Sequence, residues 1–146
     1  MLILEGVASF VVLWCLLCLV VATVGGWLVL SKTYRMAGPF SGRKWRFRRI
    51  IFRGFVSYFH TITVGASTEG LFLAVLLPLR FCHPPLLIPW NVVYKKSRSR
   101  LDLFNTSLQL GEPAKVHVSL NSRLLSQLEA SIGNEIQSVQ TSIEAK

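Results

Sequence analysis

Cys82 and His83 stand side by side in Arg80–Trp90, RFCHPPLLIPW, the only place where two reactive residue types adjoin. A cysteine nucleophile needs a base within hydrogen-bond reach and a third group to orient that base. Neighbours on an extended chain point to opposite faces, so the pair does not meet unaided. A zinc site needs about four ligands, and Cys82, His83, His60 and His117 are spread along the chain. Cys15-Leu16-Leu17-Cys18 has C-x-x-C spacing, which in a soluble chain suggests redox or metal chemistry. Here it lies inside an apolar run with no histidine or carboxylate beside it, where free cysteine packs as a small hydrophobe. The 7 acids form no close pair suited to acid–base work. Phosphate-loop, dinucleotide, nucleophile-elbow and H-E-x-x-H motifs are absent from the sequence. The chain therefore reads as a non-enzyme with no cofactor and no metal. RFCHPPLLIPW reads as a turn feeding a strand, with His83 bonding across the turn and Trp90 packed into a core.

The first element that must position these residues is an apolar run. Gly6–Leu30 carries no charged residue. As a helix it reaches roughly 35 Å, enough to cross a hydrocarbon layer of about 30 Å. In lipid a single run of this kind must be helical, because its backbone groups have no other partners. Glu5 rather than a basic residue precedes it, and it exceeds a typical signal core, so it reads as an uncleaved anchor over residues 1–31. Trp27 and Tyr34 are expected at the membrane interface.

The second element is basic. The net charge is +9, and half of the 16 basic residues lie between Lys32 and Arg53 with no acid among them. Within residues 32–56, SGRKWRFRRIIFRGF interleaves arginine with Trp45, Phe47, Phe52 and Phe55. Such a block after an anchor places its side of the membrane in the cytoplasm. Lys32, Arg35, Arg43, Lys44, Arg46, Arg48 and Arg49 are expected to contact anionic lipid heads. The same composition suits nucleic acid, but its position next to the anchor favours lipid.

Beyond the link, residues 57–133 show strand periodicity. Tyr58–Val64 alternates, Gly65–Gly70 forms a turn, and Leu71–Leu77 follows, which reads as a hairpin. A second membrane-spanning helix over 62–79 competes with it, although Glu69 at mid-bilayer would be costly. Pro84-Pro85 bends the chain into a strand over Leu86–Val93, and Pro89 marks an edge or bulge. Lys95–Arg100 is a basic turn. Phe104–Leu110 and Val116–Leu120 alternate cleanly on either side of Gly111-Glu112-Pro113. A helix capped by Asn121 or Ser122 carries the stripe Leu124, Leu125, Leu128 and Ile132, and Gly133 ends it. Residues 134–146 read as a polar tail.

The expected fold is α+β: an N-terminal transmembrane helix, an antiparallel sheet of about five or six strands, and one C-terminal packing helix. That is the layout of pleckstrin-homology-like and GRAM-like domains, a fold-level analogy only. Glu69-Gly70-Leu71-Phe72-Leu73, Arg80, and the run His83, Pro84, Pro85, Leu86, Leu87, Ile88, Pro89 and Trp90 resemble a family of small uncharacterised bacterial membrane proteins. Their core is EGLYLS…GHPPL-x-IPW after one membrane helix. Cys82 stands where that pattern has glycine. The resemblance implies a bacterial inner-membrane location and gives His83, Pro84, Pro85, Ile88, Pro89 and Trp90 a structural role; it implies no activity.

The expected function is therefore a membrane-anchored cytoplasmic binding module, with its N-terminus outside. Its partners are the lipid bilayer and a protein at a sheet edge, not nucleic acid. The alternative is a subunit of a multi-pass assembly in which 62–79 enters the bilayer.

Overall fold

The structure, a computed structural model, describes residues 1–95, 105–112 and 116–132. Its elements in chain order are helix α1 (Leu2–Val24), helix α2 (Trp27–Tyr34), strands β1 (Arg43–Phe52), β2 (Val56–Ala66) and β3 (Gly70–Val75), a 3-10 turn (Leu77–Cys82), β4 (Leu86–Pro89), a short 3-10 turn (Trp90–Val92), β5 (Val93–Lys95), β6 (Asn105–Leu110) and β7 (Val116–Asn121). Helix α3 follows over 122–132. The fold is thus α+β, as expected, with seven strands among the described residues instead of five or six.

All seven strands belong to one antiparallel sheet in the order β4-β3-β2-β1-β7-β6-β5. Its two outermost strands, β4 and β5, are separated in the chain only by Trp90–Val92. A flat sheet cannot bring its edges that close, so this one curls until it is nearly a barrel, using the twist natural to strands. Gly111 N–H donates to Val92 O at 3.0 Å and so extends the β5–β6 pairing onto that short connection. Pro89 lies on the outermost strand, where a missing donor is tolerated.

The concave side holds the core. Ile50 and Phe52, then Ile62 and Val64, Leu71 and Leu73, Leu86 and Ile88, and Val116, Val118 and Leu120 are buried there at alternate positions. Helix α3 adds Leu124, Leu125, Leu128 and Ile132, the expected stripe. Asn121 Oδ1 accepts from the Arg123 N–H at 2.8 Å and starts the helix.

Two features differ from expectation. The apolar run is not one helix. It breaks at Gly25-Gly26, where Gly26 takes φ 84°, a conformation that glycine alone adopts cheaply. Trp27 is consequently not at a membrane interface; it is fully buried in the domain core together with Leu30. Residues 43–56 are not a link, because Arg43–Phe52 is β1, the strand that joins the two halves of the sheet. Its alternation is interrupted by register shifts between Trp45 and Ile50, and Phe47 has φ 56°; the bulge turns Phe47 outward. The expected hairpin is present as β2 and β3, so the competing spanning helix over 62–79 is not: those residues lie in β2, β3 and the 3-10 turn that follows. The expected basic turn after Lys95, the helix end at Gly133 and the tail 134–146 lie outside the described residues.

Among the described residues one helix, Leu2–Val24, is long and apolar enough to cross a membrane. Nearly all of its first half is exposed. From Trp14 onward one face, marked by Cys18, Ala22 and Gly25, packs on the domain. Arg53 donates to Val24 O at 3.2 Å and so supplies a cation at the C-terminal end of α1.

Candidate functional site

The H-P-P-L-x-I-P-W run forms the hub of the domain. His83 is fully buried. Its Nδ1 donates to Leu79 O at 2.8 Å, which fixes the tautomer, and its Nε2 accepts from the Tyr58 hydroxyl at 2.7 Å. Both ring nitrogens are therefore engaged, leaving no lone pair for a substrate or metal. Burial holds the His83 pKa below its ordinary 6.5 and pushes the Tyr58 hydroxyl above its ordinary 10, so both stay neutral.

Trp27 packs against this pair, edge-on to His83 and tilted against Tyr58. Its ring centroid lies 5.3 Å from His83, 5.4 Å from Phe52 and 6.0 Å from Tyr58, inside the range of favourable aromatic contacts. Trp27 Nε1 donates to Pro84 O at 2.9 Å, and Met36 N–H donates to Pro85 O at 2.8 Å. Pro84 and Pro85 thus present free carbonyls to two different segments. Arg35 bridges to Leu86 at the start of the β4 edge. Ile88 is buried, and Trp90 packs against the core while its Nε1 donates to Ser67 O at 2.8 Å. Among the described residues no three His, Cys, Asp or Glu side chains are grouped to hold a metal.

The basic residues separate. Lys32 and Arg35 are exposed on α2 and just after it. Along β1, Arg43, Lys44, Arg46 and Arg49 are exposed and Arg48 is half-buried. Arg49 lies over the Phe59 ring at 4.6 Å and Arg43 over Trp45 at 5.6 Å. Arg43 borders a cleft of about 690 Å³ with Ser67 and Glu69. Lys44 and Arg46 border a different one, of about 340 Å³, on the convex face, where they meet Arg80, Phe72, Leu76 and Leu77. Arg80 was not among the expected lipid contacts; only the pairing Lys44–Gly65–Phe72 across β1, β2 and β3 brings it there.

The 3-10 turn after β3 ties the domain to α1. Trp14 Nε1 donates to Pro78 O at 2.9 Å. Beside that bond Leu77 is 74% and Phe81 83% exposed. These side chains extend the exposed apolar surface of α1 onto the domain. No protein-family model, curated protein or solved structure matches this chain. The class defined by the geometry is an α+β protein whose apolar N-terminal helix, compatible with a membrane anchor, is docked along a nearly closed sheet.

Proposed function

We propose that the chain is a single-pass membrane protein whose β-rich domain lies against the bilayer and serves as a binding module there. The observation that carries this reading is the Trp14–Pro78 bond. Trp14 precedes the end of α1 by ten residues, about 15 Å along a helix. The 3-10 turn therefore meets α1 near its middle, not beyond its end. With α1 across the bilayer, Leu77 and Phe81 meet apolar lipid. The indole N–H, which would lack a partner in lipid, is satisfied by Pro78. The basic residues after α1 favour a cytoplasmic domain and an external N-terminus. The family resemblance adds the bacterial inner membrane as the location.

The test uses the full chain in its membrane, with Cys15, Cys18 and Cys82 replaced by serine. Resistance to alkaline carbonate extraction is expected. Single reporters, Ser67→Cys and Ser126→Cys, should label in inverted vesicles and not in intact cells. Release by carbonate, or labelling from outside, overturns the reading.

A further inference from the structure

We infer that the convex-face cleft bordered by Lys44, Arg46 and Arg80 is a site for the headgroup of an anionic phospholipid. This rests on the membrane reading above and names a ligand for it. Three observations meet at the cleft. Among the described residues three cations line it and no carboxylate does. Its volume, about 340 Å³, lies at the lower end of ordinary ligand pockets. Its wall is aromatic: Phe40 stacks on Phe72 at 4.3 Å, and Lys44 Nζ lies 5.5 Å and 5.7 Å from those two rings. Gly65 makes this wall possible, since a Cβ there would lie 2.6 Å from the Phe40 ring.

The chemistry fits a phosphodiester. Guanidinium forks match phosphate oxygens, and the lysine adds a point charge. Leu77 and Arg80 also border the neighbouring apolar surface around Phe81. A lipid bound with its phosphate among the three cations can run its acyl chains over Leu77 and Phe81 toward α1. A soluble phosphate or a nucleic acid would use the cations and leave that adjoining apolar surface in water, which is why the lipid is favoured.

The experiment uses the full chain reconstituted in phosphatidylcholine vesicles with trace spin-labelled phosphatidylglycerol or spin-labelled phosphatidylcholine. The motionally restricted fraction of each label gives a relative affinity. A preference for phosphatidylglycerol of about fivefold is expected, the equivalent of roughly one well-placed base. Lys44→Gln/Arg46→Gln/Arg80→Gln should abolish it, and the exposed single change Arg80→Gln should at least halve it. The charge-matched control for that single change, Arg123→Gln at an exposed position of α3, should retain it. Equal affinity for both lipids, or equal loss in the control, overturns the site. Loss of preference on adding inorganic phosphate at constant ionic strength overturns the lipid assignment in favour of a soluble phosphate. Carbonate extraction of the same vesicles separates the two readings: a retained chain without preference refutes the cleft alone, and a released chain refutes both.

Discussion

Tyr58 and His83, 25 residues apart, share a 2.7 Å hydrogen bond in which the hydroxyl donates to Nε2. The bond exists only while both groups are neutral. Burial lowers the His83 pKa, so the unfolded chain binds a proton more readily than the native one. The His83 contribution is then fully present above the ordinary value of 6.5 and is lost as pH falls through it toward the folded value. Tyr58 is the mirror case: its raised pKa makes the unfolded chain the first to lose a proton, so stability falls as pH rises above 10. Thermal unfolding of the detergent-solubilised chain should show a plateau between those limits. His83→Gln should flatten the acid limb by up to one proton; an unchanged acid limb would remove His83 as its cause.

Trp27 joins α2, the Pro84 carbonyl and the two rings of that pair. Trp27→Ala empties the centre of the core and should cost about 3–5 kcal/mol. Trp27→Phe keeps most of the packing but leaves the Pro84 carbonyl without its donor, and should cost about 1–3 kcal/mol. Paired denaturant titrations measure both. Similar losses for the two variants would show that the hydrogen bond, not the ring volume, dominates.

Gly26 sets the angle between α1 and α2. Gly26→Ala places a Cβ at φ 84° and within 3.1 Å of Val116, which should cost about 1–2 kcal/mol from the backbone alone. Gly6→Ala, where a Cβ meets nothing within 4 Å, should leave the unfolding midpoint unchanged. Equal midpoints for the two variants would mean that the helix break is not held by Gly26.

Some of this was legible before the fold was known. The alternation of Tyr58–Val64 and Val116–Leu120 survives because one face of each strand is buried and the other is not. The stripe of α3 survives for the same reason. Trp27 was hidden because membrane and core demand the same apolar chemistry, so the run through Leu30 carries no mark of where the exposed helix gives way to the core. Gly25-Gly26 is the signal that the run offers, because adjacent glycines weaken a helix. β1 was hidden because a basic outer face and a bulge at Phe47 erase its period. The cleft could not be read at all: Arg80 reaches Lys44 and Arg46 only through the register of three strands.

The exposure of Leu77 and Phe81 gives the last prediction. With the three native cysteines replaced by serine, an environment-sensitive dye is placed at Leu77→Cys, Phe81→Cys or Ser67→Cys in reconstituted vesicles. Leu77 and Phe81 flank the turn that Trp14 holds against the middle of α1, whereas Ser67 lies in the turn between β2 and β3. Dyes at 77 and 81 should emit to the blue and be quenched by lipid-borne spin labels. The dye at 67 should be quenched by aqueous iodide. Adding Trp14→Phe removes the only hydrogen bond linking the indole to Pro78, so emission at 77 and 81 should shift toward that at 67. Iodide quenching at 77 and 81 equal to that at 67 in the unmodified background would mean that the domain stands clear of the bilayer, and that the apolar turn is covered by something other than lipid.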